Sequence, residues 1–247
     1  MPFIEICDIS KSYGTQSVFR DLSMSVEEHQ VVSLIGPSGS GKSTLLRCLN
    51  GLEAIDQGEI LVDGDRITGS GVDLNALRRE IGIVFQGYNL FPHMTVLENV
   101  TLAPTQVLKQ SRELAEQHGM ELLKRFGLAD RAKEYPDRMS GGQQQRVAIV
   151  RALAMDPMIL LLDEVTSALD PELVSEVLSI VRELANDGMT MVLATHEMGF
   201  AREVSSKVCF LYGGSVYEQG LPDQIFGDPQ GDRTRAFLRS IRDAKRI

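Results

Sequence analysis

The stretch Gln30-Val31-Val32-Ser33-Leu34-Ile35-Gly36-Pro37-Ser38-Gly39-Ser40-Gly41-Lys42-Ser43-Thr44 decides the fold. Its first six residues form a short, mostly apolar, β-branched run that reads as a buried strand. Gly36 to Thr44 then satisfies the spacing G-x-x-x-x-G-K-[ST], and a helical pattern runs from Thr44 to Asn50 and stops near Gly51. Strand, glycine-rich turn and helix in that order form a phosphate cradle. The glycines let main-chain N–H groups converge on phosphate oxygens, and the helix N-terminus adds a partial positive charge. Lys42 brings a full charge to the β- and γ-phosphates, and the Ser43 hydroxyl suits Mg2+.

Outward from this stretch, short apolar runs alternate with helical patterns. Glu59 to Val62 reads as a strand turning at Asp63-Gly64, and Ile81 to Phe85 as a buried strand. Helical patterns span Val107 to Phe126, stopped by Gly127, and Ser140 to about Met155. Met158 to Leu162 is an apolar core strand, and Asp170-Pro171-Glu172 starts a helix with an N-cap Asp. Thr190 to Ala194 is the next strand, and Val208 to Tyr212, Gly213-Gly214 and Ser215 to Glu218 read as a hairpin. Strand–turn–helix units in series predict an α/β domain with a mainly parallel sheet. The helical middle predicts an inserted α-lobe over residues 88–155.

Two further segments carry chemistry. The run Ile159 to Leu162 delivers Asp163 and Glu164 to the edge of a parallel sheet where α/β ligands bind. Neighbouring strand residues face opposite ways, so Asp163 suits Mg2+ and Glu164 suits polarising an attacking water. Alone, the same residues also fit a strand ending in solvated acids. In Met139-Ser140-Gly141-Gly142-Gln143, Ser140 is a helix cap and the glycines clear side chains from the helix N-terminus. That reads either as a second exposed anion site or as an ordinary capped helix.

Composition removes other classes. The chain has 247 residues, 43% of them hydrophobic and 24% charged, which is globular rather than disordered. Lysine and arginine number 25 against 34 aspartates and glutamates, a net charge of -9 that disfavours nucleic acid as a partner. Cys7, Cys48 and Cys209 are far apart and form no C-x-x-C pair, so reduced thiols are expected. No apolar run approaches the roughly 18 residues of a membrane span. Met-Pro-Phe-Ile-Glu-Ile lacks the basic start of a signal peptide.

With these motifs in place the sequence resembles the nucleotide-binding subunits of ABC transporters over nearly its whole length. The Walker A motif matches Gly36 to Thr44, Walker B matches Ile159 to Glu164, and the signature matches Met139 to Gln143. Gln86 matches the Q-loop glutamine, Ser167 to Asp170 the D-loop, His196 the switch histidine, and Tyr13 the adenine-stacking aromatic. The resemblance implies a P-loop NTPase of ABC ATPase type. Its expected parts are a mainly parallel sheet core, an N-terminal antiparallel β-subdomain and an inserted α-helical subdomain. It implies one domain over 1–247, with a catalytic lobe of residues 1–87 and 156–247 and a helical lobe of residues 88–155.

It further implies hydrolysis of ATP with Mg2+. Glu164, His196 and Gln86 are the expected catalytic residues, and Ser43, Gln86 and Asp163 the expected metal set. Tyr13, Gly36, Ser38, Gly39, Ser40, Gly41, Lys42, Ser43 and Thr44 are expected to hold nucleotide in one chain. The signature residues Ser140, Gly141, Gly142 and Gln143 are expected to meet it from the other chain of a head-to-tail homodimer, and Asp170 of the D-loop is a further expected nucleotide-binding residue. Met139 stands where the signature has leucine, and Val165 where proline commonly follows the Walker B glutamate. Valine leaves φ free there, which loosens the approach to the D-loop.

Three stretches, Asn89 to Val100, His196 to Val204 and Glu218 to Leu238, are similar to ATPases of polar amino-acid importers. The implied role is energising uptake of polar or charged amino acids from the cytoplasmic face of the inner membrane, peripherally, with a subunit that is soluble when isolated. The implied partners are integral membrane permease subunits and, indirectly, an external amino-acid-binding protein. The competing reading is an ABC-type ATPase that gates a non-transport membrane or soluble partner. The C-terminal cations Arg233, Arg235, Arg239, Arg242, Lys245 and Arg246 read as a solvated helix face with Phe237, Leu238 and Ile241 packed.

Overall fold

The structure is a computed structural model that describes residues 2–244. The chain opens with two long strands, β1 (Ile4–Tyr13) and β2 (Gln16–Val26), then β3 (Val31–Ile35), α1 (Lys42–Leu49), β4 (Gln57–Val62), β5 (Asp65–Arg66), α2 (Leu74–Glu80) and β6 (Ile81–Val84). Three helices follow without a strand: α3 (Val96–Gln106), α4 (Arg112–Arg125) and α5 (Gly141–Leu153). The remainder is β7 (Ile159–Asp163), α6 (Pro171–Asn186), β8 (Thr190–Ala194), α7 (Met198–Val204), β9 (Lys207–Tyr212), β10 (Ser215–Gly220), α8 (Pro222–Gly227) and α9 (Asp232–Ala244).

The strands form two sheets. An antiparallel sheet has the order β2-β1-β4-β5, and a six-stranded sheet has the order β10-β9-β3-β8-β7-β6. In the larger sheet β9, β3, β8, β7 and β6 pair in parallel, and only β10 runs antiparallel, as the return of the hairpin. Register fixes the functional edge. Asp163 pairs with Ala194, and Leu34 pairs with Ala194 from the other side, so the ends of β3, β7 and β8 finish level.

The period-2 alternation of the central strands sorts the core into two layers. Leu160, Leu162, Met191 and Leu193 face a cluster with Val96 and Val100 of α3, Val147 and Val150 of α5, and Val177 and Val181 of α6. Ile159, Leu161, Val192 and Val32 face the opposite cluster, with Leu45, Leu46 and Leu49 of α1 and with Ile4, Ile6, Phe19 and Ile60 of the antiparallel sheet. Helices α3 to α5 therefore share a buried core with the sheet.

The helix expected over Val107–Phe126 is present in shorter form as Arg112–Arg125, and a further helix, Val96–Gln106, precedes it where the sequence reading placed none. Thr95 and Glu98 form a capping box that starts the first helix, which runs through Pro104. Ser111 caps the second by accepting from the Leu114 N–H, and the bend between them places Lys109 at φ 58°. Asp170 stands at the N-cap of α6 as expected, but its side chain makes no capping hydrogen bond. In α9, Leu238 is buried while Arg233, Arg235 and Arg239 are exposed. Lys245 and Arg246 lie outside the described residues.

Candidate active site

The loop between β3 and α1 is shaped by glycine. Gly36 has φ 151°, and a Cβ there would fall 2.3 Å from the Leu211 carbonyl oxygen. Gly41, at φ 96°, is the N-cap of α1, and a Cβ there would press on Val18 at 3.1 Å. The loop thus wraps closely against β2 and β9. Lys42 opens α1 and is only 4% exposed. Its ammonium donates to the carbonyls of Gly36 (3.0 Å) and Pro37 (3.3 Å) and lies 3.6 Å from Glu164 Oε1. Burial pulls its pKa below the usual lysine value, and the Glu164 carboxylate works against that shift.

Asp163 ends β7 and is 4% exposed. Its Oδ1 accepts from the Ser43 hydroxyl at 2.7 Å. Burial pushes the carboxyl above the ordinary aspartate range, and the Ser43 hydrogen bond partly reverses that. Glu164 follows in a left-handed conformation, φ 48°, which turns its side chain out of the strand's alternation. Its N–H bonds to the Ala194 carbonyl (2.9 Å), and its own carbonyl accepts from the N–H and hydroxyl of Ser167. His196 Nε2 stands 2.9 Å from Glu164 Oε1. One carboxylate therefore contacts both a buried lysine and a histidine at the level edge of three parallel strands.

The structure brings Lys42, Ser43, Asp163, Glu164 and His196 together, while the other expected residues sit around them. Tyr13 ends β1 at 47% exposure, with Lys11 Nζ 4.9 Å from its ring centroid. Ser38 and Gly39 are exposed at the loop tip, while Ser40 is buried with its hydroxyl unpartnered. Gln86 is exposed just beyond β6. Ser140 and Gln143 form a reciprocal capping box at the start of α5. Gly141 is half-buried and Gly142 buried, and neither leaves room for a side chain. A Cβ on Gly141 would fall 2.5 Å from Tyr88 Oη, and one on Gly142 would fall 3.0 Å from Leu173 Cβ. In the single chain both glycines serve close packing. Asp170 is exposed, and Val165 is buried in the core shared with α5 and α6.

A family model described as "ABC transporter" matches residues 19–167, which spans the phosphate loop, the start of α5 and the Asp163-Glu164 edge. The chain belongs to the ABC transporter family. The glutamine transport ATP-binding protein GlnQ of Geobacillus stearothermophilus is 50% identical, aligned over 94% of this chain and 96% of the relative. The glutamate/aspartate import ATP-binding protein GltL of Escherichia coli is 50% identical, over 96% of this chain and 99% of the relative. Among solved structures, an ATP-binding cassette captured as a dimer in a post-hydrolysis state, bound to ADP and Pi, superposes with a TM-score of 0.80. It is 35% identical and covers 89% of this chain and 98% of its own.

Within this ABC cassette the structure adds residues that the sequence did not single out. Asn99 on α3 is fully buried and holds the turn after β6: its Oδ1 accepts from the Phe91 N–H, and its Nδ2 donates to the carbonyls of Phe91, Met94 and Thr95. Arg151 on α5 donates to the carbonyls of Tyr88 and Asn89. The signal for Asn99 was an amide at a core-facing helix position, four residues beyond the Thr95 cap. Arg151 gave no sequence signal beyond a cation in an apolar helix. Beside them a groove of about 610 Å³, lined by Leu52, Ile83, Phe85, Phe91, Val107 and Arg151, opens along β6, the edge strand of the sheet.

Proposed function

We propose that this ABC cassette is the ATP-hydrolysing subunit of an importer of polar or charged amino acids, working as a nucleotide-driven homodimer. The carrying observation is the Glu164 carboxylate, 3.6 Å from the buried Lys42 ammonium and 2.9 Å from His196, beside the Ser43–Asp163 pair. In this reading Lys42 exchanges the carbonyls of Gly36 and Pro37 for the β- and γ-phosphates of ATP. The N–H groups of residues 36–44 cradle the phosphates, and Tyr13 stacks on the base.

Glu164 accepts a proton as a water oxygen bonds to the γ-phosphorus and the bond to the β-phosphate oxygen breaks, leaving ADP and phosphate. The proton then passes to the phosphate, and His196 holds the γ-phosphate against Glu164. The Ser43 hydroxyl and the Asp163 carboxylate, with Gln86, fit Mg2+, whose bound charge would neutralise the phosphates. This oxygen set suits a cation shared with nucleotide, and no cluster of three His, Cys, Asp or Glu side chains able to hold a metal is found among the described residues. Ser140, Gly141, Gly142, Gln143 and Asp170 act on the nucleotide of the partner chain. We take residues 1–87 and 156–247 as the catalytic lobe and 88–155 as the helical lobe.

The transport half of the reading is supported by amino-acid transport relatives at 48–50% identity that align along nearly the whole chain. No helix of the described residues is long and apolar enough to cross a membrane, so the pathway belongs to permease subunits, with the cassette held at the cytoplasmic face. The apolar groove beside β6, with Phe91 exposed at its rim, suits a segment of such a subunit. An external amino-acid-binding protein supplies specificity. The test is affinity capture of the tagged chain from detergent-solubilised membranes of its host. Recovery of a multi-spanning protein, with ATPase stimulated by an amino-acid-loaded binding protein in proteoliposomes, supports importer function. Recovery of soluble partners alone leaves the ATPase and removes transport.

A further inference from the structure

The end of β1 is tied to the loop that follows α1. The Ser10 carbonyl accepts from the Asp56 N–H at 2.8 Å, and the Ser12 N–H donates to Asp56 Oδ2 at 2.7 Å. Between them Lys11 is buried, and its Nζ donates to the Ala54 carbonyl at 2.6 Å and lies 3.7 Å from Glu53 Oε2. The same loop is bound back to α1, because the N–H groups of Leu52 and Glu53 both donate to the Arg47 carbonyl. Lys42 and Ser43 open that helix. The strand end that carries Tyr13 and the helix that carries the phosphate residues are thus fixed to one loop.

Lys11 also meets the ring itself. Its ammonium lies over the Tyr13 ring, 4.9 Å from the centroid. Lys11 is 8% exposed and Tyr13 47%, so the ammonium covers the inner side of the ring and the outer side is open. A cation against an aromatic face attracts the π density, more strongly where the cation is desolvated. The open face is left less negative, which favours contact with the electron-rich face of a purine.

We infer that Lys11 is a positioning residue that sets the preference for a purine base: it holds the Tyr13 ring in place relative to the phosphate loop and polarises its open face. The inference rests on the reading of Tyr13 as the base platform. A neutral side chain at position 11 frees the ring and removes the polarisation, so affinity falls through the base alone. The phosphates, held by Lys42 and the N–H groups of the loop, keep their own contacts.

The experiment measures dissociation constants of the purified full chain for ATP and UTP by calorimetry, in EDTA to withhold Mg2+, with melting temperature beside them. Lys11→Gln, which keeps a donor for the Ala54 carbonyl and loses the charge, weakens ATP about three- to tenfold and UTP about twofold or less. Lys11→Arg, which keeps a cation beside the ring, stays within about twofold of wild type for ATP. In a Tyr13→Leu background Lys11→Gln changes nothing further. Equal loss for ATP and UTP, or the same loss in the Tyr13→Leu background, overturns the inference, because a purely structural or long-range electrostatic role gives those results. An arginine variant as weak as the glutamine variant overturns it too. If Lys11→Gln does not fold, Lys11→Met, which fills a similar volume without charge, is held to the same outcomes. A Tyr13→Leu chain that binds ATP as wild type does removes the base-platform reading and the inference together. A Tyr13→Leu chain weakened for ATP, beside a Lys11→Gln chain that binds it normally, removes only the inference.

Discussion

Glu164 is held at φ 48°, in the left-handed region that costs an L-residue about 1–2 kcal/mol. That strain sits on the carboxylate assigned to water activation, and it can be isolated by comparing Glu164→Gly with Glu164→Ala. Both variants lose the same side-chain contacts, to Lys42 at 3.6 Å and His196 at 2.9 Å, so those losses cancel in the comparison. Alanine keeps the conformational penalty, whereas glycine loses it and instead gives up about 0.4–1 kcal/mol to its freer unfolded chain. The glycine variant is therefore expected to be more stable than the alanine variant by about 1 kcal/mol. In a domain of this size that is a melting-temperature gap of roughly 2–4 °C. Urea titration and calorimetry without nucleotide read it directly, while ATPase falls by about 10²–10⁴-fold in both. An alanine variant more stable than the glycine variant by about 0.4–1 kcal/mol would show that the left-handed turn carries no strain, and would refute the reasoning.

Asn99→Ala removes the side-chain partner of the Phe91 N–H and of the Met94 carbonyl, while the Phe91 and Thr95 carbonyls keep main-chain N–H donors, and it is expected to destabilise the fold by about 2–4 kcal/mol, read by urea unfolding, with nucleotide affinity in the folded fraction unchanged. The three cysteines are expected to separate cleanly in a thiol-labelling time course followed by mass spectrometry. Burial pushes the Cys48 and Cys209 thiols up to about 12, so at pH 8 almost no thiolate exists and they label only on unfolding. Cys7 is half-buried, and its thiol is raised mainly by partial burial and then by Glu5, Glu59 and Asp8, so it labels first and faster as pH rises.

Elements governed by local rules were legible in the chain. The phosphate loop, the apolar β7 ending in Asp163, β8 from Thr190 to Ala194 and the hairpin at Gly213-Gly214 each carry their own periodicity or turn chemistry. The long strands β1 and β2 were not individually legible, because register shifts between Ile6 and Ile9 and near Lys11, with Asp8 and Asp21 at positive φ, break the alternation. Helix α3 was hidden by Pro104 and threonines, although Thr95-x-x-Glu98 announced its start. Within the site, the residue types at Lys42, Ser43, Asp163, Glu164 and His196 were readable, but the left-handed Glu164 and the salt link to Lys42 were not. Both arise from tertiary placement, as does the close approach of Tyr88 to Gly141.

In the proposed cycle Glu164 activates water in a site completed by two chains. This role is tested most directly by light scattering on Glu164→Gln with ATP and Mg2+, since the amide keeps the shape of the side chain and loses only its basicity. A stable species of twice the monomer mass that retains unhydrolysed ATP is expected, against a monomer without nucleotide. A Glu164→Gln chain that turns over ATP at the wild-type rate, or binds it and stays monomeric, would contradict it.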